Sequence, residues 1–107
     1  MEQVIVEKIR KRIELRDYYY TIHAGDRMTD RHISVREVEK AASSEAVEVI
    51  EDYPDDARGP SCLLFGKTLG GRALHVHCTY PPNLAVITVY EPQPDEWIDL
   101  KIRAGGE

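Results

Sequence analysis

The sequence predicts an α+β fold in which N-terminal helices pack on one face of a four- to five-stranded, mainly antiparallel sheet. Two observations carry this prediction. Apolar residues recur at helical spacing through residues 2–42, whereas after residue 46 the apolar runs are short, rich in β-branched residues and separated by turn residues. Because the strands follow one another along the chain, they can pair as neighbours, and the helices are left to cover one face.

The first helix is predicted over residues 2–16. Ile5, Ile9 and Ile13 recur every four residues, with Val6 beside them. This spacing places all four side chains on one stripe of a helix, with the lysines and arginines of the segment on the solvent side. The stripe predicts a helix that packs against the rest of the protein.

Two further elements precede the sheet. Residues 18–23 are aromatic and β-branched and are predicted as a short strand, and residues 23–34 as a helix of about two turns. Ser34 followed three residues later by Glu37 is a capping-box pattern, which predicts the start of a third helix immediately after Ser34.

The second half of the chain is predicted to form four strands, separated by turns rich in proline and glycine. The last strand is apolar on both faces, as in a central strand. We expect a single domain over residues 1–107, with a core at 18–97 and a charged, flexible tail at 98–107. The predicted strands are residues 46–53, 61–68, 72–80 and 84–92.

Composition narrows the class of protein. The chain has 107 residues and a net charge of −5. Residues 1–40 carry nine basic and eight acidic side chains, and residues 41–107 carry five and eleven. This balance argues against a protein whose main task is to grip nucleic acid. No apolar run approaches the ~20 residues of a membrane span, and the N-terminus does not read as a secretory signal, so we expect a cytoplasmic protein with no membrane partner.

Two histidines one residue apart occupy the strand RALHVHCTY at residues 72–80. Strand alternation puts His75, His77 and Thr79 on one face if the apolar residues between them face the helices. The surface would then suit proton transfer and anion contact, but a solvated sheet face has the same composition. The same alternation assigns Ala85, Ile87 and Val89 of the last strand to the helix side, and Val86, Thr88 and Tyr90 to the histidine side.

Three blocks of the chain resemble a small prokaryotic family of domains of unknown function. They are YTIHAGDRMTDRHISVREVEKA, VIEDYPDDARGPSCLLFGKTLGGRALHV and ITVYEPQPDEW, and the similarity spans residues 18–97. The family resembles the RelE/BrnT/MqsR-like toxin superfamily. The resemblance implies a compact RelE/BrnT-like fold and a metal-independent mRNA interferase activity without a cofactor. It also implies mRNA or the ribosome as target and a YgiT/MqsA-like zinc-finger antitoxin as partner, and leaves the oligomeric state undetermined.

The resemblance also implies site residues. His23, Arg27 and Arg31 match the HAxxRM…RxIS block, His75 the LHV block and Tyr90 the ITVYEP block, whereas His77 departs from the pattern. RNA cleavage without a metal needs a base, an acid and cations for the phosphate. We therefore assign catalysis to His75, Tyr90 and His23. Substrate binding is assigned to Arg27, Arg31, Lys67, Arg72 and His77.

Two other interpretations remain open. His75, His77 and His23 would be three imidazoles for a metal, although no CxxC or HExxH spacing accompanies them. Alternatively, the chain is a non-catalytic interaction domain whose acidic second half meets a basic partner. An enzyme would lose activity on His75→Ala with its fold intact, whereas an interaction domain would lose partner affinity through surface residues.

Overall fold

The computed structural model describes residues 2–104 and confirms the α+β prediction. Three helices cover one face of a five-stranded sheet of order β1-β5-β4-β3-β2, and a two-stranded hairpin, β6–β7, forms a second sheet. The helices are α1 (Glu2–Glu14), α2 (Ile22–Asp30) and α3 (Val35–Ser43). The strands are β1 (Tyr19–Tyr20), β2 (Glu48–Tyr53), β3 (Ser61–Lys67), β4 (Ala73–Thr79), β5 (Ala85–Tyr90), β6 (Trp97–Ile98) and β7 (Ile102–Arg103).

The sheet is mixed because β1 runs parallel to β5, whereas every other neighbouring pair in it is antiparallel. The predicted apolar stripe of α1 is confirmed, since Val6, Ile9 and Ile13 are buried in the helix-side core. The helix ends at Glu14, two residues earlier than predicted. Arg16 has a φ of 58°, a left-handed conformation that cannot continue an α-helix.

The segment before α2 is shorter than the predicted strand. Only Tyr19 and Tyr20 pair with β5, because the Thr21 hydroxyl accepts a hydrogen bond from the Ala24 amide at 3.0 Å and starts α2 at Ile22. The capping box of α3 is confirmed: Ser34 Oγ accepts from the Glu37 amide at 3.1 Å. Among residues 2–104, no helix is long and apolar enough to cross a membrane.

Helix α3 approaches β3 most closely at Gly66. A Cβ at this position would overlap the carbonyl oxygen of Ala41 and lie 2.8 Å from its carbonyl carbon. The absence of a side chain therefore lets the α3 backbone rest directly on the strand. This contact sets the separation between the helix layer and the centre of the sheet.

A β-bulge corrects the predicted faces of β5. Opposite β4, Val89 pairs with Val76 and Thr88 with His77, but the next pair is Val86 with Cys78. The extra residue, Ile87, reverses the alternation. Val86 therefore belongs to the helix-side core, contrary to the prediction, and neither Ala85 nor Ile87 is part of that core among the described residues. Thr88 and Tyr90 do share the histidine side, as predicted.

The C-terminal region corrects the prediction of a flexible tail as far as residue 104. Trp97 is buried, and the strands that it begins form the β6–β7 hairpin against the sheet face opposite the helices. The predicted open face is therefore covered, and His75 has 0% of its surface exposed. Residues 105–107 of the predicted tail lie outside the described residues.

Candidate active site

The imidazole of His75 lies between β4 and the hairpin. Its Nε2 is 2.6 Å from the carbonyl oxygen of Leu100, and its Nδ1 is 3.2 Å from the hydroxyl oxygen of Tyr90. A carbonyl oxygen can only accept, so Nε2 carries the proton. Nδ1 of the neutral ring then accepts from the Tyr90 hydroxyl. Register places the two side chains together, since His75 pairs directly with Tyr90 across β4 and β5.

The surroundings of this pair keep both groups uncharged. The Trp97 ring meets the imidazole edge to face at 4.4 Å between centroids, and Phe65 lies at 6.0 Å. Burial lowers the pKa of His75, which therefore stays neutral at pH 7. Burial also raises the pKa of Tyr90 to about 12, so its hydroxyl keeps its proton. The pair is a neutral donor–acceptor unit.

Tyr90 also lines a cleft of about 880 Å³ at one end of the sheet. The cleft lies between the end of α2, the segment that follows β5 and the hairpin. It is lined by three arginines and three acidic residues, namely Arg31, Arg72, Arg103, Glu91, Asp95 and Glu96. Of the predicted site residues, the cleft brings together Tyr90, Arg31 and Arg72.

Among the guanidinium groups of the cleft, that of Arg31 makes the fewest hydrogen bonds and ion pairs with the protein. Its Nη1 donates to the Val89 carbonyl oxygen at 2.7 Å, and within residues 2–104 its side chain has no ion-pair partner. The remaining N–H groups are available to an anion. Arg103, by contrast, donates to both carboxylate oxygens of Glu51, at 2.8 and 3.1 Å, and lies 4.7 Å from the Trp97 ring centroid.

Arg72, predicted to bind substrate, holds the protein together instead. Its Nη1 donates to the His32 carbonyl oxygen and to the carboxylate of Glu37, and its Nη2 donates to the Arg31 carbonyl oxygen. Its Nε donates to Glu91. The guanidinium therefore ties the end of α2 to the start of α3 and to the end of β5. A phosphate would have to displace these acceptors.

Three other predicted site residues lie away from the cleft. His23 and Arg27 are exposed on α2, on the helix side of the sheet, and Arg27 Nη1 is 3.4 Å from Asp30. Lys67 is exposed at the end of β3 and does not line the cleft. Helical geometry explains the first two, because the face of α2 that carries Ala24 and Met28 is the one that packs on the sheet.

His77 belongs to a separate polar cluster. Its Nε2 lies 3.0 Å from Ser61 Oγ, and Ser61 Oγ donates to Asp56 at 2.7 Å. Because the serine proton is directed to Asp56, Ser61 accepts from His77. A serine nucleophile needs the opposite arrangement, with its proton directed to the histidine, so Ser61 is not placed as a nucleophile here. Across the described residues, no group of three or more histidine, cysteine or acidic side chains is placed to hold a metal.

The buried His75 and the half-buried His77 predict a pH dependence of stability. Burial lowers the pKa of both His75 and His77 below the usual value of 6.5. The unfolded chain therefore binds more protons between 6.5 and the lowered values, and stability falls as the pH falls through this window. We expect the free energy of unfolding to decrease below pH 6.5, by up to about 1.4 kcal/mol per pH unit for each histidine.

Urea denaturation between pH 7.5 and 5 measures this effect. The unfolded pKa values of aspartate and glutamate lie near 4, so protonation of carboxylates contributes little in this range. His77→Gln should remove part of the slope. A free energy of unfolding that is constant from pH 7.5 to 5 would contradict the neutral state assigned to the two rings.

Sequence reasoning missed three contributors to the site, namely Trp97 as the ring over His75, the Leu100 carbonyl and Arg103. Only the residue pairs Trp97-Ile98 and Ile102-Arg103 could have indicated the hairpin in the sequence. They flank a turn in which Asp99 and Leu100 have positive φ angles. Two residues per strand are too few for alternation to show. The acceptor of Arg103 is Glu51, 52 residues away in the chain.

Comparison with known proteins gives one match. The family model described as Domain of unknown function (DUF4258) matches residues 20–91. No curated protein and no solved structure matches the chain significantly. The matched range includes β2 to β5 and the residues His75 and Tyr90, but it begins after α1 and ends before the β6–β7 hairpin.

Proposed function

The chain belongs to the DUF4258 family of domains of unknown function, and from its cleft we propose that it is a toxin-like ribonuclease that cleaves RNA without a metal. One observation carries the proposal. The hydroxyl of Tyr90 is hydrogen-bonded to the buried, neutral His75, and Tyr90 lines a cleft that also holds the guanidinium of Arg31. A proton acceptor and a cation for a phosphate therefore share one cleft.

The proposed reaction begins with attack of the RNA 2′-oxygen on the adjacent phosphorus. The 2′-hydroxyl gives its proton to Tyr90 Oη, and the Tyr90 proton moves to His75 Nδ1, which already accepts from it. The Leu100 carbonyl stabilises the imidazolium that forms, because it accepts from Nε2. The bond from phosphorus to the 5′-oxygen then breaks, and the leaving oxygen takes a proton from water.

Arg31 is the residue that we assign to the phosphate. Its free N–H groups face negative charge that grows on the phosphoryl oxygens in the transition state, where fixed donors contribute most to the rate. Arg103 can add a second contact only by leaving Glu51. This assignment replaces the predicted roles of Arg27, Lys67 and Arg72 with a set that lines one cleft.

The charge of the cleft bears on how RNA reaches it. Three arginines and three acidic residues line the cleft, and the whole chain carries −5. Such a surface attracts free polyanions weakly over distance. We therefore propose that the substrate is mRNA presented on the ribosome, and that a zinc-finger antitoxin of the YgiT/MqsA type is the inhibitor encoded with the chain.

A second candidate is a non-catalytic interaction domain that binds the same zinc-finger partner. The full burial of His75 favours it, since both ring nitrogens are already satisfied within the protein. Such a histidine can serve the fold alone. In this case the acidic second half of the chain would supply the binding surface for a basic partner.

The experiment compares wild type with Tyr90→Phe, which removes the hydroxyl and keeps the ring. Cleavage of mRNA in a translating bacterial extract should fall about 100-fold, the usual contribution of a proton-transfer group. Growth arrest on induction in a bacterial host should be relieved in parallel. Tyr19→Phe is the matched control, because Tyr19 is exposed on β1, and it should cleave like wild type.

Two outcomes would count against the ribonuclease. In one, Tyr90→Phe retains the wild-type rate with its fold intact. In the other, wild type neither cleaves mRNA nor arrests growth. Binding of the zinc-finger protein by wild type and by Tyr90→Phe alike, without cleavage by either, would support the interaction domain.

A further inference from the structure

The β6–β7 hairpin is attached to the sheet in an unusual way. It forms a sheet of its own, and in the described part of the chain no backbone hydrogen bond joins residues 97–103 to the five-stranded sheet. The backbone bonds near it connect Trp97 to Gln93 and Ala104 to Glu96, within the same C-terminal segment. The hairpin can therefore separate from the sheet without breaking a strand ladder.

Side chains and one carbonyl hold the hairpin in place. Arg103 bonds to Glu51, and Lys101 Nζ lies 2.6 Å from Glu48, both on the edge strand β2. The side chains of Lys101 and Arg103 are 41% and 58% exposed, so solvent screens both ion pairs. Further attachments are the Trp97 ring on His75, the Leu100 carbonyl at Nε2, the Lys101 ammonium 5.3 Å from the centre of the Phe65 ring, and a hydrogen bond between Arg103 and Tyr53.

We propose that the hairpin is a cover that swings off the sheet as a unit and uncovers His75. The hinge is the segment 91–96, EPQPDE, which links the hairpin to the end of β5. In the closed state the Leu100 carbonyl occupies Nε2 and Trp97 screens the ring, so no substrate atom reaches His75. In the open state both nitrogens meet the cleft. The proposed ribonuclease uses the Leu100 carbonyl at Nε2, so the open state would be the inactive one. This consequence rests on the proposed function, whereas the motion does not.

The family match supports the separate character of this element. It ends at residue 91, at the start of the hinge, so it includes α2, α3 and β2 to β5 but neither α1 nor the hairpin. The hairpin thus covers a residue of the domain, His75, from outside the matched range. An added segment over a buried polar pair is the arrangement that a cover requires.

Trp97 gives a direct readout because it is the only tryptophan in the chain, and it is 4% exposed. The test variant is Glu48→Gln/Glu51→Gln, which removes the two ionic anchors and leaves the residues of the cleft unchanged. The control is Asp17→Asn/Asp30→Asn, which removes two exposed ion pairs on the helix side, with Arg12 and with Arg27.

Two accessibilities are measured, namely acrylamide quenching of Trp97 and diethyl pyrocarbonate modification of His75, located by mass spectrometry. Both should rise about tenfold in the anchor variant, the factor expected from two part-exposed ion pairs, and stay at the wild-type level in the control. The exposed His23 and His32 calibrate the reagent. Thiol labelling of the buried Cys62 and Cys78 reports opening of the whole core and should stay slow.

The cover is overturned if His75 and Trp97 stay protected in the anchor variant until the cysteines also react. Equal increases at His75 and Cys62 would have the same meaning, because the core would then open as one unit. These readouts need no RNA, so a failure of the ribonuclease leaves this test standing. A rigid hairpin on an active enzyme would refute the cover alone.

Discussion

Replacing Gly66 with alanine should destabilise the protein by about 3 kcal/mol or more, or prevent folding. The added methyl group would overlap the carbonyl oxygen of Ala41 in α3. Because the obstacle is backbone in the last turn of α3, it cannot turn aside as a flexible side chain would. Relief requires α3 to move away from β3, which would loosen the core around Val38 and Leu64 as well.

The same substitution at Gly25 is the matched control. Gly25 lies inside α2, and a Cβ there would have nothing within 4 Å. Alanine should therefore stabilise the protein by about 0.5–1 kcal/mol through the lower backbone entropy of its unfolded state. Urea denaturation of the two variants measures both changes. If Gly66→Ala were as stable as wild type, the close approach of α3 to β3 would be wrong.

Replacing Arg72 with methionine should cost about 2–4 kcal/mol of stability. The change keeps the length and the apolar stem of the side chain but removes every guanidinium donor. It leaves the carbonyls at the end of α2 without their donor, and it leaves Glu37 and Glu91 without a counter-ion. The connection between α2 and α3 should therefore loosen. In thermal denaturation we expect a lower melting temperature and a smaller fraction of folded protein before the transition.

Lys67→Met separates this structural role from the predicted role in phosphate binding. Both residues were predicted to bind substrate, but Lys67 is exposed at the end of β3 and should change stability by less than about 0.5 kcal/mol. Neither variant should selectively weaken RNA binding. A stable Arg72→Met protein that had lost its affinity for RNA would restore the phosphate role and remove the structural one.

The parts of the fold that depend on local pattern could be predicted from the sequence. The stripe of Ile9 and Ile13 predicted α1, and the spacing of Ser34 and Glu37 predicted the start of α3 within one residue. The placement of His75 and Tyr90 on one face also followed from alternation in the two strands. In each case a periodic or capping signal a few residues long determines the structure.

The remaining parts depend on contacts between distant residues. The bulge at Ile87 reverses a face without any glycine or proline to mark it. The commitment of Arg72 to acceptors about 40 residues earlier in the chain cannot be read from its neighbours. The hairpin is stabilised by the contact of Trp97 with His75 and by the ion pair of Arg103 with Glu51. Two-residue strands are not stable by themselves.

The parallel pairing of β1 with β5 has a consequence for synthesis on the ribosome. Tyr19 pairs with Ala85, so β1 cannot pair until β5, which is translated much later, has been synthesised. Strand β5 lies inside the sheet, between β1 and β4, and also supports α2 through the core residues Val86 and Val89. A nascent chain that has not yet exposed β5 therefore lacks the strand on which α2 packs. We expect folding of this protein to complete only after translation of β5, and the apolar face of α2 to stay accessible to chaperones until then.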